Sequence, residues 1–306
     1  MTVALLYGAP PVALVDIPGN AIQTSPLVPG ATLLEDVAPG SASAMTMVAP
    51  PGTVERRYAL ALALRALAPG GSLVALAPRD KGGSRIRKEL ESFGCAVAED
   101  SKSHWRICRS ARPDHPIGLD EAIAEGAPRF DETLGLWTQP GIFSWDRIDE
   151  GSALLLDALG PPSGQLDGWG ADLGCGLGLL SKAVLERNAA VTAIEAVELD
   201  ARALAAARRN IADPRARFHW CDVRDGLPLA GLDFVVMNPP FHSGGADDVG
   251  LGRAFLQQAR KALRSGGTLW MVANRHLPYE AELATLFAKI EPVTESTRFK
   301  VMRALA

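Results

Sequence analysis

Hydrophobic positions in the second half of this chain alternate between two spacings. Short apolar runs at 170–173, 194–198, 217–221, 234–237 and 268–273 read as strands. Longer stretches at 178–189, 201–211, 252–263 and 279–288 repeat apolar residues every three or four positions and read as helices. A closing strand is expected around 299–304. Strand and helix taken in turn predict an α/β fold, a mostly parallel sheet with helices on both faces. The run 234–237 stops at Asn238-Pro239-Pro240. Proline has no N–H and a fixed φ, so the ladder ends there. Asn238 therefore falls at the carboxyl end of a parallel strand, where open α/β sheets bind ligands.

The first third is less regular. Runs at 12–15 and 33–37 read as small strands, 23–31 as loop, 54–67 as a helix and 72–77 as a strand. A charged turn at 79–83, a helix at 85–93 and two short strands ending near Cys108 follow. Residues 113–127, with Pro113, Pro116, Gly118 and Gly126, read as a linker between a first domain, 1–112, and a second, 128–306. A helix is expected at 153–159 and a surface loop at 161–168.

The two ends share a pattern. Arg65-Ala66-Leu67-Ala68-Pro69-Gly70-Gly71-Ser72-Leu73 matches Lys261-Ala262-Leu263-Arg264-Ser265-Gly266-Gly267-Thr268-Leu269. Ala49-Pro50-Pro51 sits where Asn238-Pro239-Pro240 sits, and Trp105-Arg106-Ile107-Cys108 shadows Phe299-Lys300-Val301-Met302. Landmarks repeated in one order imply an internal duplication. The first copy lacks both the asparagine and a glycine-rich turn, so it is expected to be degenerate.

Composition narrows the class. The 306 residues are 47% apolar and 22% charged, a globular balance, and exceed the usual single domain. With 31 basic against 35 acidic residues the net charge is −4, so the overall field does not hold nucleic acid and any RNA contact needs a local patch. Arg79, Lys81, Arg85, Arg87, Lys88, Lys102, Arg106, Arg109 and Arg112 supply one, unless they are ordinary pairs on solvated faces. Cys95, Cys108, Cys175 and Cys221 show neither CxxC pairing nor metal spacing. Reduced thiols of a cytoplasmic protein without a metal site are expected. The apolar start has no basic segment and contains Pro10-Pro11, so neither a signal peptide nor a membrane span is expected.

The remaining chemistry lies ahead of Asn238. Asp172-Leu173-Gly174-Cys175-Gly176-Leu177-Gly178 follows a strand and opens a helix. Its glycines let the backbone turn tightly and approach a ligand. The leading aspartate would repel a pyrophosphate but suits a ligand with an ammonium and a sulfonium. One unit later, Glu198 can accept two ribose hydroxyls. Glu195 is its rival but falls inside the apolar run, and the E-x-D-x-x-A-L pattern favours Glu198; the alternative for either is a solvated acid at a helix start. Asp222, after the third strand, can accept an adenine amine or serve only as a turn aspartate. At Asn238 a carboxamide and the Pro239 carbonyl can grip an exocyclic amine, with Phe241 covering the ring that bears it, unless the stretch is an ordinary strand end with a proline stop. Gly244, Gly245 and their neighbours read as a lid, and His242 as a polar rim residue.

This ordered set resembles the class I S-adenosylmethionine-dependent methyltransferases. More closely it is similar to the bacterial rRNA guanine-N2 methyltransferases, whose architecture is duplicated. That likeness rests on Pro140-Gly141-Ile142-Phe143-Ser144 with Asp149-Glu150-Gly151-Ser152, on 172–181, on Asn238-Pro239-Pro240-Phe241-His242, on Val272-Ala273-Asn274-Arg275 and on Arg298-Phe299-Lys300-Val301. It covers the second half well and the first domain mainly in its later part. The resemblance implies tandem Rossmann-like methyltransferase domains, the first degenerate, with S-adenosylmethionine as cofactor and ribosomal RNA as partner. It implies methyl transfer to a guanine N2 amine, with Asn238, Pro239 and Phe241 handling the base and Phe143 lining the pocket or the core. Asp172, Gly174, Gly176, Gly178, Glu198 and Asp222 would hold the cofactor. Rival readings are methylation of an adenine or of a protein glutamine amide, and a non-catalytic cofactor-binding assembly protein.

Overall fold

A computed structural model describes residues 3–160, 166–240, 242–243, 246–247 and 249–306. The chain divides into two units, residues 1–129 with 139–141, and residues 130–138 with 142–306.

In the first unit, strands β1 (Val3–Tyr7), β2 (Ile22–Gln23) and β3 (Ala42–Val48) precede helix α1 (Thr53–Ala66) and strand β4 (Leu67–Pro78). Helix α2 (Ser84–Ser92), strands β5 (Val97–Lys102) and β6 (Trp105–Ala111), and helix α3 (Leu119–Gly126) complete it. The sheet order is β2-β1-β3-β4-β6-β5. All pairings are parallel except those of β6. Residues 12–15 and 33–37 are not strands: the first is a turn and the second contains the short 3₁₀ turn Leu34–Asp36. Pro10-Pro11 and Pro18 leave too little free backbone for a ladder there, and the N-terminal strand is β1 instead. The stretch 113–127, read as a linker, holds α3, whose Gly126 lies so close to Tyr58 of α1 that a Cβ would collide with it.

The second unit begins with the hairpin β7 (Arg129–Asp131) and β8 (Leu136–Thr138) and helix α4 (Glu150–Ala158). Then β9 (Gly168–Leu173), α5 (Leu179–Arg187), β10 (Val191–Glu198), α6 (Ala201–Asn210), β11 (Ala216–Trp220) and β12 (Leu232–Met237) alternate. A two-residue pair, β13 (His242–Ser243) and β14 (Ala246–Asp247), leads to α7 (Val249–Ala262) and β15 (Leu263–Asn274). Helix α8 (Tyr279–Leu286) and strands β16 (Lys289–Glu295) and β17 (Phe299–Leu305) finish the chain. The sheet runs β11-β10-β9-β12-β15-β17-β16, parallel up to β15 and antiparallel beyond. Alternate residues of β12 face opposite ways. Phe234 and Val236 pack with Leu155 of α4 and Val184 of α5, while Val235 and Met237 pack with Leu256 of α7 and Leu283 of α8. Burial on both faces explains the unbroken apolar run.

The two sheets repeat one strand order and register, as the duplicated sequence pattern leads one to expect. β1, β2, β3, β4, β6 and β5 occur in the order of β9, β10, β12, β15, β17 and β16, with no counterpart of β11 among the described residues. Ala44 pairs with Ser72 as Phe234 pairs with Thr268, after the same bulge. Gly70 and Arg112 exchange backbone hydrogen bonds with each other's strands as Gly266 and Ala306 do. The shared register puts Leu6 level with Asp172 and Gly8 level with Gly174. It also puts Val48, not Ala49, level with Asn238, because β3 is one residue out of step with the proline alignment.

Candidate active site

The carboxyl ends of β9 and β12 border one cavity of about 60 Å³. Its walls are the glycine loop (Gly174, Cys175, Gly176, Leu177), the helix starts Leu179-Leu180 and Asp149 with Ser152, and the segment 143–148. Leu134 and Leu136 of the β7–β8 hairpin close one side, and Asn238 stands at the end of β12. Asn210, closing α6, binds the hairpin to the loop: its Nδ2 donates to the carbonyls of Trp137 and Leu177 at 3.0 and 2.9 Å, and its Oδ1 accepts from Trp137 N at 2.7 Å.

The glycine loop needs its glycines for different reasons. Gly176 has φ +53° and nothing within 4 Å of a hypothetical Cβ, so it borders open space. Gly178, at φ +82°, abuts Ile211 and Ala207, so its role is close packing of α5 on α6. Glu198, at the end of β10, accepts from Gly176 N at 2.9 Å and from Leu199 N and Asp200 N at 2.8 and 2.9 Å. Burial raises its pKa, opposed by those backbone donors. Glu195, the rival, is buried within the sheet margin and accepts from Trp169 Nε1, Arg217 and His219 at 2.7, 3.0 and 2.6 Å. Its carboxylate is committed there, away from the loop.

Asp172 is fully buried behind the loop. Its Oδ2 accepts from Ser181 N and Oγ at 3.1 and 2.7 Å, while Oδ1 has no hydrogen-bond partner. Burial pushes its pKa up to about 7, despite the Ser181 hydrogen bonds, and the nearby Glu198 adds to the rise. Asp172 thus ties the loop to the first turn of α5. Asp222 follows β11, and both its oxygens are held by the Arg224 guanidinium, at 2.5–3.0 Å, which lowers its pKa. It is not among the cavity's lining residues.

At Asn238 the carboxamide Nδ2 donates to Asp149 Oδ2 at 2.8 Å and to Ser152 Oγ at 2.9 Å. Pro239 is buried beside it. Phe143 lies on the cavity wall, 67% exposed, which removes the core alternative for this side chain. The next residue, Ser144, holds φ +52°, a left-handed conformation unusual for serine, while Ile142 anchors the stretch between Leu177 and Ala206. Phe241 and the glycines of the lid expectation lie outside the described residues, as do the side chains of His242 and Ser243. Sequence reasoning assigned no role to Asp149 or Ser152. A D-x-x-S spacing signals a helix cap and nothing about the strand end it would meet.

Comparison with known proteins decides the family. The methyltransferase small domain model matches residues 133–303. Ribosomal RNA small subunit methyltransferase C of Pseudomonas paraeruginosa is 32% identical over 292 residues, 94% of this chain and 86% of that one. This chain belongs to that family. The Shewanella loihica member is 31% identical over 254 residues, covering 80% and 71% of the two chains. Among solved structures, the T. thermophilus 16S rRNA N2 G1207 methyltransferase in complex with AdoMet and guanosine superposes with a TM-score of 0.79. That match spans 100% of this chain and 88% of the other at 24% identity, and it shows that the fold is shared throughout.

Proposed function

We propose that this protein transfers the methyl group of S-adenosylmethionine to the exocyclic N2 amine of a guanine in ribosomal RNA of the small subunit. The observation that carries the reading is that Asn238 and the glycine loop line one cavity at the strand ends. The residues present fit the cofactor. Gly176 leaves open space where a ligand would approach the backbone, and Glu198 stands at the end of the neighbouring strand. Gly174, Gly176 and Glu198 would hold it, with Asp172 and Gly178 fixing the loop from behind and Phe143 on the wall. Asp222 contributes least, since Arg224 already holds its carboxylate. When bound, S-adenosylmethionine supplies an electrophilic methyl on a sulfonium.

The chain's own residues act on the amine. A guanine amine is a poor nucleophile because its lone pair is delocalised into the ring. Asn238 Oδ1 and the Pro239 carbonyl would accept hydrogen bonds from its N–H groups and leave the lone pair to face a bound methyl donor, whose sulfur would leave as a neutral thioether. This is catalysis by alignment more than by a strong base. Phe241 is the stacking partner for an unstacked base. Leu134, Leu136, Phe143 and Ile148 make part of the cavity wall apolar. For RNA placement, Arg79, Arg85, Lys88 and Arg109 are exposed on the first unit and form no ion pair among the described residues. Arg87 and Arg106 pair with Glu91 and Glu99, and Lys102 and Arg112 hold backbone carbonyls. The site of action is the cytoplasm, where this substrate is made. Among the described residues no helix is long and apolar enough to cross a membrane.

The test is transfer of labelled methyl from S-adenosylmethionine to small ribosomal subunits, followed by nucleoside mass spectrometry. N2-methylguanosine is expected. N6-methyladenosine, a methylated protein glutamine, or cofactor binding without transfer would each support a rival instead.

A further inference from the structure

We infer that Asp149, assisted by Ser152, is a positioning residue for methyl transfer that locks the Asn238 amide with its carbonyl oxygen toward the substrate. The inference rests on the methyl-transfer reading above. Asn238 Nδ2 donates to Asp149 Oδ2 at 2.8 Å and to Ser152 Oγ at 2.9 Å. A carboxylate only accepts, so the end of the amide that faces Asp149 is its NH2 group. Both N–H bonds are then used, and the carbonyl oxygen at the other end of the amide remains as the acceptor. An amide turned over by 180° would offer N–H donors to an amine that is itself a donor. The lock removes that arrangement.

Asp149 is held in turn. It is the N-cap of α4, with Oδ2 accepting from Ser152 N at 2.8 Å and extended backbone angles of φ −67° and ψ 131°. The helix therefore sets the carboxylate, the carboxylate sets the amide, and all three side chains border the cavity. Asp149 also disfavours an aspartate at position 238. An aspartate there would set a second carboxylate against Asp149 at hydrogen-bond distance, which is repulsive.

Asp149→Ser separates lock from cap. Serine caps a helix almost as well as aspartate, but its shorter side chain does not span to Asn238. Single-turnover methyl transfer is expected to fall by about tenfold or more, with cofactor affinity and melting temperature near wild type. Asp149→Asn, whose carbonyl can take the place of Oδ2, should recover most of that loss. In an Asn238→Ala background, Asp149→Ser should change the rate by less than about twofold, because the amide it positions is gone. A second readout needs no activity. The Asn238 side-chain NH2, assigned by NMR through its loss in Asn238→Ala, should be protected from exchange in wild type and exposed in Asp149→Ser. A wild-type rate in Asp149→Ser, an equal further loss in the Asn238→Ala background, or an unprotected NH2 in wild type would each overturn the lock. A protected amide in a protein that transfers no methyl to small ribosomal subunits would sink the functional reading alone.

Discussion

The same strand ends have opposite fates in the two units. In the second, they surround a cavity floored by Gly176 and edged by Asn238. In the first, side chains of the unit itself occupy the equivalent groups. Gln23, closing β2, takes the amide of Gly8 at 3.1 Å through Oε1 and gives Nε2 to its carbonyl at 2.9 Å. Glu198 makes only the first kind of contact, with Gly176 N. Beside β3, the buried Arg56 donates to the carbonyls of Pro50 and Pro51 and forms a two-point pair with Glu89 at 2.7 Å. Counted back from Leu67 and Leu263, Arg56 stands where α7 has Gly252. There a Cβ would collide with the Tyr279 hydroxyl. In the first unit side chains of the unit itself thus hold the backbone groups after the strands, and in the second the strand ends border a cavity.

The largest effect should come from unplugging the first unit. Arg56→Ala leaves Glu89 buried without its partner and should cost about 3–5 kcal/mol of stability. Chemical denaturation would register this, and an Arg56→Met, Glu89→Leu double variant should return most of the loss. An unchanged midpoint in Arg56→Ala would mean the pair fills space without holding it.

Filling the second unit is the converse experiment. Gly176→Val places a branched side chain at φ +53° and in the open space of the loop. Left-handed strain of roughly 1–2 kcal/mol and the lost volume should together weaken S-adenosylmethionine binding by about a hundredfold or more by calorimetry. Unchanged affinity would separate the loop from the cofactor.

Asp172 offers a comparison in pH, since its counterpart is the apolar Leu6. Its folded pKa, about 7, lies above the unfolded value of 3.8, so the folded state holds the proton more tightly. The stabilisation is complete below the unfolded value and disappears as pH rises through 7. Asp172→Asn, which keeps an acceptor for Ser181, should flatten that loss and gain on the order of 2–3 kcal/mol relative to wild type at pH 8. Parallel stability curves from pH 5 to 8 would show that Asp172 is ionised throughout.

The smallest expected difference lies among the cofactor acids. Glu198→Ala should weaken cofactor binding by about 1–2 kcal/mol, and Asp222→Ala by less than about 1, because Arg224 already occupies that carboxylate. Glu195→Ala should act on stability through Trp169 and His219 and spare affinity. The reverse order would move the ribose site to a different strand end.

Much of this was legible in sequence for physical reasons. Strands buried on both faces have no polar face to blur their runs, and Pro239-Pro240 marks where a ladder must stop. The duplication showed in the glycine pairs at 70–71 and 266–267, which both copies need for the same bulge. β1 was missed because Pro10-Pro11 drew the strand expectation past Val3–Tyr7 to residues 12–15, which are a turn. Helix α3 was hidden by Gly118 and Gly126, which resemble breakers but serve as its left-handed N-cap and its contact with Tyr58. The partner of Asn238 lies 89 residues away, beyond any spacing rule. Only the fold brings Asp149 to it.

The central claim is that Asn238 acts on the substrate amine and not on the cofactor. Single-turnover transfer of labelled methyl to small ribosomal subunits, run beside a calorimetric cofactor titration, tests it in the Asn238→Ala variant. Cofactor affinity near wild type with transfer reduced by about a hundredfold or more is the predicted result. Full transfer by the alanine variant, or a parallel loss of cofactor affinity, would contradict it.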